Sequence, residues 1–448
     1  MDVIRRLDEI GRGDAPLTGD VVVLGAGVSG LSFAFRAAKA GRRVLVIERE
    51  SGRVGGCLHS HRLTDGFWFE LGAHGAYASY GGFVEMAKAT GALAGLLERG
   101  RARGRFGVRA AGAWRWLGPA GLVSRLRWLD AALHLPPGLL AGKAGRSVEG
   151  YYSALLGPRN FRELVSPFFA AVTSQSADGF PVEGPGSLFK RRPRSQGVPR
   201  TFGIRGGLQT LCEAVAVMPG VRVLGGAEAR GLRRAGDGFA IELSDGRTVE
   251  APICALATPA PEAAALAERD WPGVAGALCR IGTSTTETLG VVLPRERPVP
   301  PEVAFLVATD DLFYSAVTRD VFPDARWRAF AFHFEAGRAT RDEKLRSAAA
   351  ALGVKPSDFA CVVEARRTLP SPRLGHHEIV REITAALDGQ RLAITGNYFD
   401  GLAIEDCVQR SFGEWARVAR GRPGRLKAAT NGRTISVQRE GAMAPWVI

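Results

Sequence analysis

The sequence predicts an α/β protein in which a Rossmann-type domain with a GxGxxG turn is combined with an α+β domain of antiparallel strands and helices. Three observations predict it. A β-branched run, a glycine-rich turn, an amphipathic segment and a second apolar run ending in an acid follow one another from Val21 to Glu48. A second glycine doublet, Gly55-Gly56, comes directly after them. Further along, Val221-Leu224, Phe239-Leu243, Ile253-Ala257, Leu289-Leu293, Val303-Val307 and Trp327-Phe334 read as strands, with Asp245-Gly246 as a hairpin turn.

The first element is the strand Val21-Val23, which enters Gly25-Ala26-Gly27-Val28-Ser29-Gly30. Gly25 permits the tight turn, Gly27 lets the backbone approach a pyrophosphate, and Gly30 lets helix and strand pack closely. A helix with Leu31, Phe35 and Ala38 on its apolar face follows and ends near Gly41. Its N-terminus offers free N–H groups and the positive end of a dipole to phosphates. The next strand, Val44-Ile47, closes on Glu48, whose carboxylate can accept hydrogen bonds from ribose hydroxyls, and Arg49 comes next. Gly55-Gly56 beside Arg53 gives a second close approach to phosphate, with a cation to neutralise it.

Composition narrows the class. At 448 residues the chain can bury a large core and should form two or three domains. Its 59 Lys and Arg against 45 Asp and Glu leave a net charge of +14. Either that charge attracts an anionic surface or a carboxylated substrate, or it reflects the arginine usage of a GC-rich bacterial proteome. No nucleic-acid module is present, so nucleic acid is not expected as a partner. The six cysteines form no CxxC pair, which suits free thiols in a reducing cytoplasm. The seven histidines show no metal-ligand spacing, and His376 and His377 would point apart on a strand. Met1 to Asp20 is mixed and charged, unlike a signal peptide. No apolar run approaches 18 residues, so no membrane-spanning helix is expected.

The middle of the chain is more ambiguous. Phe83 to Leu97 has helical apolar spacing, and Arg101-Val108 with Gly112-Leu117 reads as two strands around a glycine turn. Gly121 to Arg146 mixes arginines with Trp128, Leu133, Leu135, Leu139 and Leu140. It is either a basic amphipathic stretch lying in a membrane interface or a helical lid with solvated arginines. Ser147-Val148-Glu149-Gly150 opens like a capped helix. Phe305, Phe313, Tyr314, Phe330, Phe332 and Phe334 could stack on a flat substrate or simply alternate between core and surface.

Several of these segments resemble FAD-dependent amine oxidase and protoporphyrinogen oxidase-like flavoproteins. Arg53-Val54-Gly55-Gly56-Cys57-Leu58-His59-Ser60 and Phe69-Glu70-Leu71-Gly72-Ala73-His74-Gly75 resemble that family's RxGGxxxS/T and E-L-G segments. Thr201 to Leu211 is similar to its FxxGGL segment. Leu369 to His376, with Gly396-Asn397-Tyr398 and Asp400 to Val408, resembles the P-x-x-x-x-G-H and G-N-Y signatures of protoporphyrinogen oxidases.

The resemblance implies FAD as cofactor in place of NAD. It implies a discontinuous FAD domain (20–75, 201–284 and 376–424), a helical substrate or membrane-contacting region (76–200) and a substrate-domain sheet (285–375). Residues 1–19 and 425–448 would be extensions. Cofactor positions are then Gly25, Ala26, Gly27, Ser29, Gly30, Glu48, Arg49, Arg53, Gly55, Gly56, Gly72, Ala73, His74, Ala229, Ala257, Gly396, Asn397, Ala403 and Ile404. Arg105 aligns with an arginine that holds a substrate carboxylate in the family, although the preceding Asn is Gly104 here. The implied activity is hydride transfer from a C–H bond of a porphyrinogen-type or other cyclic substrate to flavin N5, as in heme biosynthesis. The alternatives are an amine oxidase or desaturase, and a non-catalytic FAD-binding protein. The family's G-x-[YF]-A-G-D stretch is replaced here by Ala170 to Gly179, which separates substrate identity from fold.

Overall fold

The computed structural model describes residues 19–117, 121, 124–140, 142–297 and 299–420. Five parallel strands form its centre: β1 (Val21–Leu24), β2 (Val44–Glu48), β3 (Val221–Gly225), β4 (Cys254–Leu256) and β5 (Leu392–Ile394). Their spatial order is β3-β2-β1-β4-β5. Val21 pairs with Val44, Val22 with Cys254, and Cys254 with Leu392. β1 is entirely buried, as expected of an apolar strand with both faces covered.

One face carries helices α1 (Val28–Lys39) and α2 (Ile404–Arg420). They pack through Phe33 against Trp415 at 5.6 Å and Phe35 against Phe412 at 6.1 Å between centroids. The other face is covered by a three-stranded antiparallel sheet (Ala229–Ala235, Gly238–Leu243, Thr248–Ala251) and helices Ala260–Ala267 and Pro272–Cys279.

A second, seven-stranded sheet stands over this domain. In spatial order its strands are Cys361–Pro370, Thr283–Pro294, Trp327–Glu335, Phe313–Thr318, Phe305–Ala308, Phe106–Ala110 and Ala113–Leu117. Every neighbouring pair is antiparallel except Phe305–Ala308 with Phe106–Ala110, which is parallel. Those two strands are far apart in sequence, so no hairpin dictates their direction.

Alternation divides the sheet's faces. Phe330, Phe332 and Phe334 join Phe313, Leu289 and Leu352 in a core beneath helix Arg341–Leu352. That is the core half of the two roles open to these aromatics. Ala329 and Val292 instead pack on Phe67, Phe69 and Leu71 of the first domain. His333 lies on that same face, in register with Thr288 and Ser315 on its two neighbouring strands.

Around these sheets the helices differ from the sequence pattern in two places. The helix at Phe83 covers only Gly81–Ala89. Gly91, at φ +78°, turns the chain, and Leu96–Glu98 then pairs with Thr201–Ile204 as a strand. His376 and His377 open a helix, His376–Ala386, because Gly375 at φ +87° breaks the preceding chain direction. His376 is buried with Nε2 at 3.1 Å from the Phe399 carbonyl, while His377 faces solvent.

Ser147 does cap Val148–Leu156, its hydroxyl accepting from Gly150 N–H at 3.0 Å. Within 121–146, helix Trp128–Leu140 leaves Trp128 57%, Leu129 86% and Leu133 76% exposed. Among the described residues no helix is long and apolar enough to cross a membrane. The extension from 425 onward and residues 1–18 lie outside the described residues.

Candidate cofactor and substrate site

The glycine turn is shaped by contacts that leave no room for side chains. A Cβ on Gly25 (φ +105°) would sit 2.8 Å from the Ala257 carbonyl oxygen. One on Gly30 would sit 2.0 Å from the Gly25 oxygen and 3.1 Å from both Ala257 Cβ and Val23 Cγ1. Ala257 is held there by its own N–H, which donates to the Leu24 carbonyl at 2.8 Å. At Gly27 the space is open, with only Gly56 Cα within 4 Å, at 3.9 Å. Gly27 also bridges Gly55, and Gly55 N–H donates to the Ala26 carbonyl at 2.8 Å. The two glycine loops therefore form one shallow backbone cradle.

Charge and helix ends converge on it. Gly27 is the N-cap of α1. The N-terminal turn of α2, at Ala403 and Ile404, lies beside it, because Ser29 hydrogen-bonds Cys407. Two positive helix ends thus face one place, an arrangement that favours anions. Glu48 Oε2 accepts from Ala26 N–H at 2.8 Å and Oε1 from Glu50 N–H at 2.9 Å. Ala227 N–H donates to the Glu48 carbonyl at 3.0 Å, which brings Ala229 to the same edge. Arg53 donates to the Gly56 carbonyl at 3.2 Å and pairs with Glu50. Arg49 instead points to Glu262 at 3.3 Å and is largely exposed.

The E-L-G segment closes the next side. A Cβ on Gly72 would fall 1.9 Å from the Cys57 oxygen, and Ala73 N–H donates to that oxygen at 3.1 Å. His74 reaches across to the seven-stranded sheet, its Nε2 lying 3.2 Å from His333 Nε2. Gly396 and Asn397 follow β5, with Gly396 buried against the Tyr398 ring.

One residue at this junction belongs to no sequence motif. Arg367, on the edge strand of the sheet, donates to His59 Nδ1 at 2.9 Å. Burial, then Arg53 and Arg367, push His59 down to about 3, so it is neutral there. Burial beside Arg53 lowers Arg367 as well. Arg105, by contrast, is exposed at the entry to Phe106–Ala110. Its neighbour Phe106 turns inward, stacked on Phe305 at 5.3 Å and edge-on to Phe168.

Carboxylates from distant segments tie the cradle together. Glu405 accepts from Gly82 N–H at 2.8 Å and Phe83 N–H at 3.1 Å, capping helix Gly81–Ala89 from outside its own sequence. Asp406 pairs with Lys190 and Arg192. Glu70 accepts from Ser60 Oγ at 2.6 Å and from Leu208 N–H at 2.8 Å, docking the FxxGGL segment. Burial pushes Glu70 up to about 7.

An acid raised in this way stabilises the fold fully below its unfolded value of 4.5, and loses that contribution as pH climbs through 7. Thermal unfolding of Glu70→Gln should accordingly fall less between pH 5 and pH 8 than that of the unaltered protein. Parallel slopes would refute the assignment.

Residues 23–88 match the model of an NAD(P)-binding Rossmann-like domain. The chain is 46% identical over 55 residues to all-trans-retinol 13,14-reductase of Danio rerio, and 47% identical over 55 residues to that of Homo sapiens. That match covers 12% of this chain and 9% of those relatives. Among solved structures, a provisionally named protoporphyrinogen oxidase from Exiguobacterium sp. 255-15 superposes with a TM-score of 0.72 at 17% identity, over 88% of this chain and 97% of that one.

That likeness shows a shared fold. Cyclohexylamine oxidase from Brevibacterium oxydans IH-35A shares it with a TM-score of 0.67 at 15% identity, over 90% of this chain and 99% of its own. A reduced UDP-galactopyranose mutase does so at 0.66 and 18% identity, over 90% and 98%. In this chain the Rossmann-type domain touches the seven-stranded sheet where His74 contacts His333 and where His59 contacts Arg367.

Proposed function

We propose that this protein is an FAD-dependent oxidoreductase that dehydrogenates a carboxylated, porphyrinogen-type or other cyclic substrate. The observation that carries the reading is the shared cradle: two glycine loops and two helix N-termini converge, and Gly27 leaves backbone open at their centre. FAD fits it, with Gly25 to Gly30, Gly55-Gly56 and Arg53 on the pyrophosphate, and Glu48 and the Ala229 edge toward the adenosine. Gly72, Ala73, Gly396, Asn397, Ala403 and Ile404 would surround the flavin end. When bound, the cofactor supplies two-electron acceptance at its ring.

The chain's own residues do the rest. The sheet excludes water with Val292, Ala329 and the Phe67-Phe69-Leu71 cluster. Two arginines are assigned to substrate carboxylates: Arg367, half-buried beside His59, and Arg105, exposed beside the Phe106–Phe305 pair. A guanidinium suits a carboxylate bidentately. The same cations repel a protonated amine, which disfavours the amine oxidase alternative. The exposed apolar side chains of helix Trp128–Leu140, followed in sequence by Lys143 and Arg146, are assigned to contact with an anionic membrane surface. Absence of flotation with anionic vesicles at low salt would remove that contact.

The test of function is anaerobic mixing of the flavin-loaded protein with protoporphyrinogen IX, coproporphyrinogen III and an amine panel. Bleaching of the flavin is the expected anaerobic result, and porphyrin fluorescence should follow once air is admitted as the terminal acceptor. Flavin that stays oxidised with every candidate overturns the porphyrinogen reading and leaves a desaturase of another substrate or a non-catalytic FAD-binding protein. With a substrate in hand, Arg367→Gln should raise KM about ten- to a hundredfold, and Arg105→Ala should raise it less. An unchanged KM removes either arginine from the carboxylate site.

A further inference from the structure

The two halves of the molecule meet at a pair of imidazoles whose hydrogen bonds fix their tautomers. His74 Nε2 is 3.2 Å from His333 Nε2, with the ring centroids 5.2 Å apart and the planes at 77°. His333 Nδ1 lies 3.2 Å from Ser315 Oγ, and Ser315 Oγ donates to the Ala171 carbonyl at 3.2 Å. A hydroxyl has one proton. With that proton on Ala171, Ser315 must accept from His333 Nδ1–H. His333 Nε2 then holds a lone pair, and His74 must donate to it from its own Nε2. His74 Nδ1 is left as an unprotonated base.

The surroundings keep both rings neutral at rest. Burial lowers His333 to about 4, and burial, His333 and Arg99 lower His74 well below its ordinary value. Arg99 donates to the His74 carbonyl at 2.7 Å, Glu70 and Arg319 line the same small cavity as His74, and Thr288 stands in register beside His333. His74 follows the Gly72 turn that packs on Cys57, so it stands where the cradle meets the overlying sheet.

Dehydrogenation removes two hydrogens from a substrate. One leaves as hydride with the electron pair of its bond, which the flavin accepts. The other leaves as a proton, and its bonding pair becomes the new π bond. We propose that His74 Nδ1 is the base that receives this proton, with His333 and Ser315 as positioning residues that carry the resulting charge away from the substrate.

As Nδ1 gains its proton, the Nε2 proton of His74 crosses to His333 Nε2. His74 returns to a neutral ring, and His333 becomes the imidazolium. Its Nδ1–H points through Ser315 to a carbonyl in the last turn of helix Ser166–Thr173, the negative end of that helix. The assignment rests on the flavin-dependent reading above.

Two measurements on the flavin-loaded protein test it. Histidine 15N NMR should show His74 unprotonated at Nδ1 and His333 protonated there; the opposite tautomers would overturn the relay. With any substrate that bleaches the flavin, His74→Phe should slow bleaching about 10²- to 10⁴-fold. A protein that retains no flavin defeats the functional reading instead, and the tautomers are still readable in it.

Discussion

Gly30→Ala should yield protein without flavin absorbance and should cost the fold about 3 kcal/mol, the upper end of overpacking penalties. The added methyl would stand 2.0 Å from the Gly25 carbonyl oxygen, a backbone atom that cannot swing aside. Relief requires α1 to lift from β1 or the Gly25 turn to open. Either movement breaks the register between Gly27 and Gly55 that forms the cradle. Gly276→Ala is the matched control: it lies in helix Pro272–Cys279, is exposed, and has nothing within 4 Å of its Cβ position. That change should be neutral or stabilise by up to about 1 kcal/mol. Flavin content and thermal unfolding of the two variants, read side by side, check the claim. Equal flavin retention would mean that the helix end does not need its close approach.

Asp320→Ala should destabilise the protein by about 3–5 kcal/mol. Asp320 holds Arg328 with two hydrogen bonds, at 2.9 and 2.6 Å, and the two side chains are only 1% and 7% exposed. Truncating the acid strands a buried guanidinium whose other partner at 2.7 Å is the Pro300 carbonyl. The pair also anchors the segment leading into strand Phe305–Ala308, since Val303 N–H donates to Asp320 at 3.3 Å. The cost belongs to the orphaned charge, so the double variant Asp320→Ala with Arg328→Met should recover most of it. Urea unfolding of single and double variants measures both. Additive losses would place the stabilisation elsewhere.

What could be read from the sequence follows a physical divide. Gly25, Gly30, Gly55 and Gly72 were legible because each answers a local steric demand, and such demands recur at fixed spacing. The parallel sheet was legible for a related reason: Val-rich runs buried on both faces cannot be much else. The face assignments were not. Period-two alternation says that Phe330, Phe332 and Phe334 share a side, but not that helix Arg341–Leu352 covers it. His333 and Arg367 left no local trace at all, since strand register carries them to His74 and His59 across hundreds of residues. Arg105 was singled out by its resemblance to a family position, and the structure places its side chain in solvent. The helix expected over Phe83 to Leu97 was overextended because apolar spacing cannot register a left-handed glycine at 91.

The cradle is also assembled from segments far apart in the chain: Gly25 is braced by Ala257, and Ser29 is held by Cys407. A ligand bound there would act as a clasp, favouring by its own binding free energy the state in which these distant segments are joined.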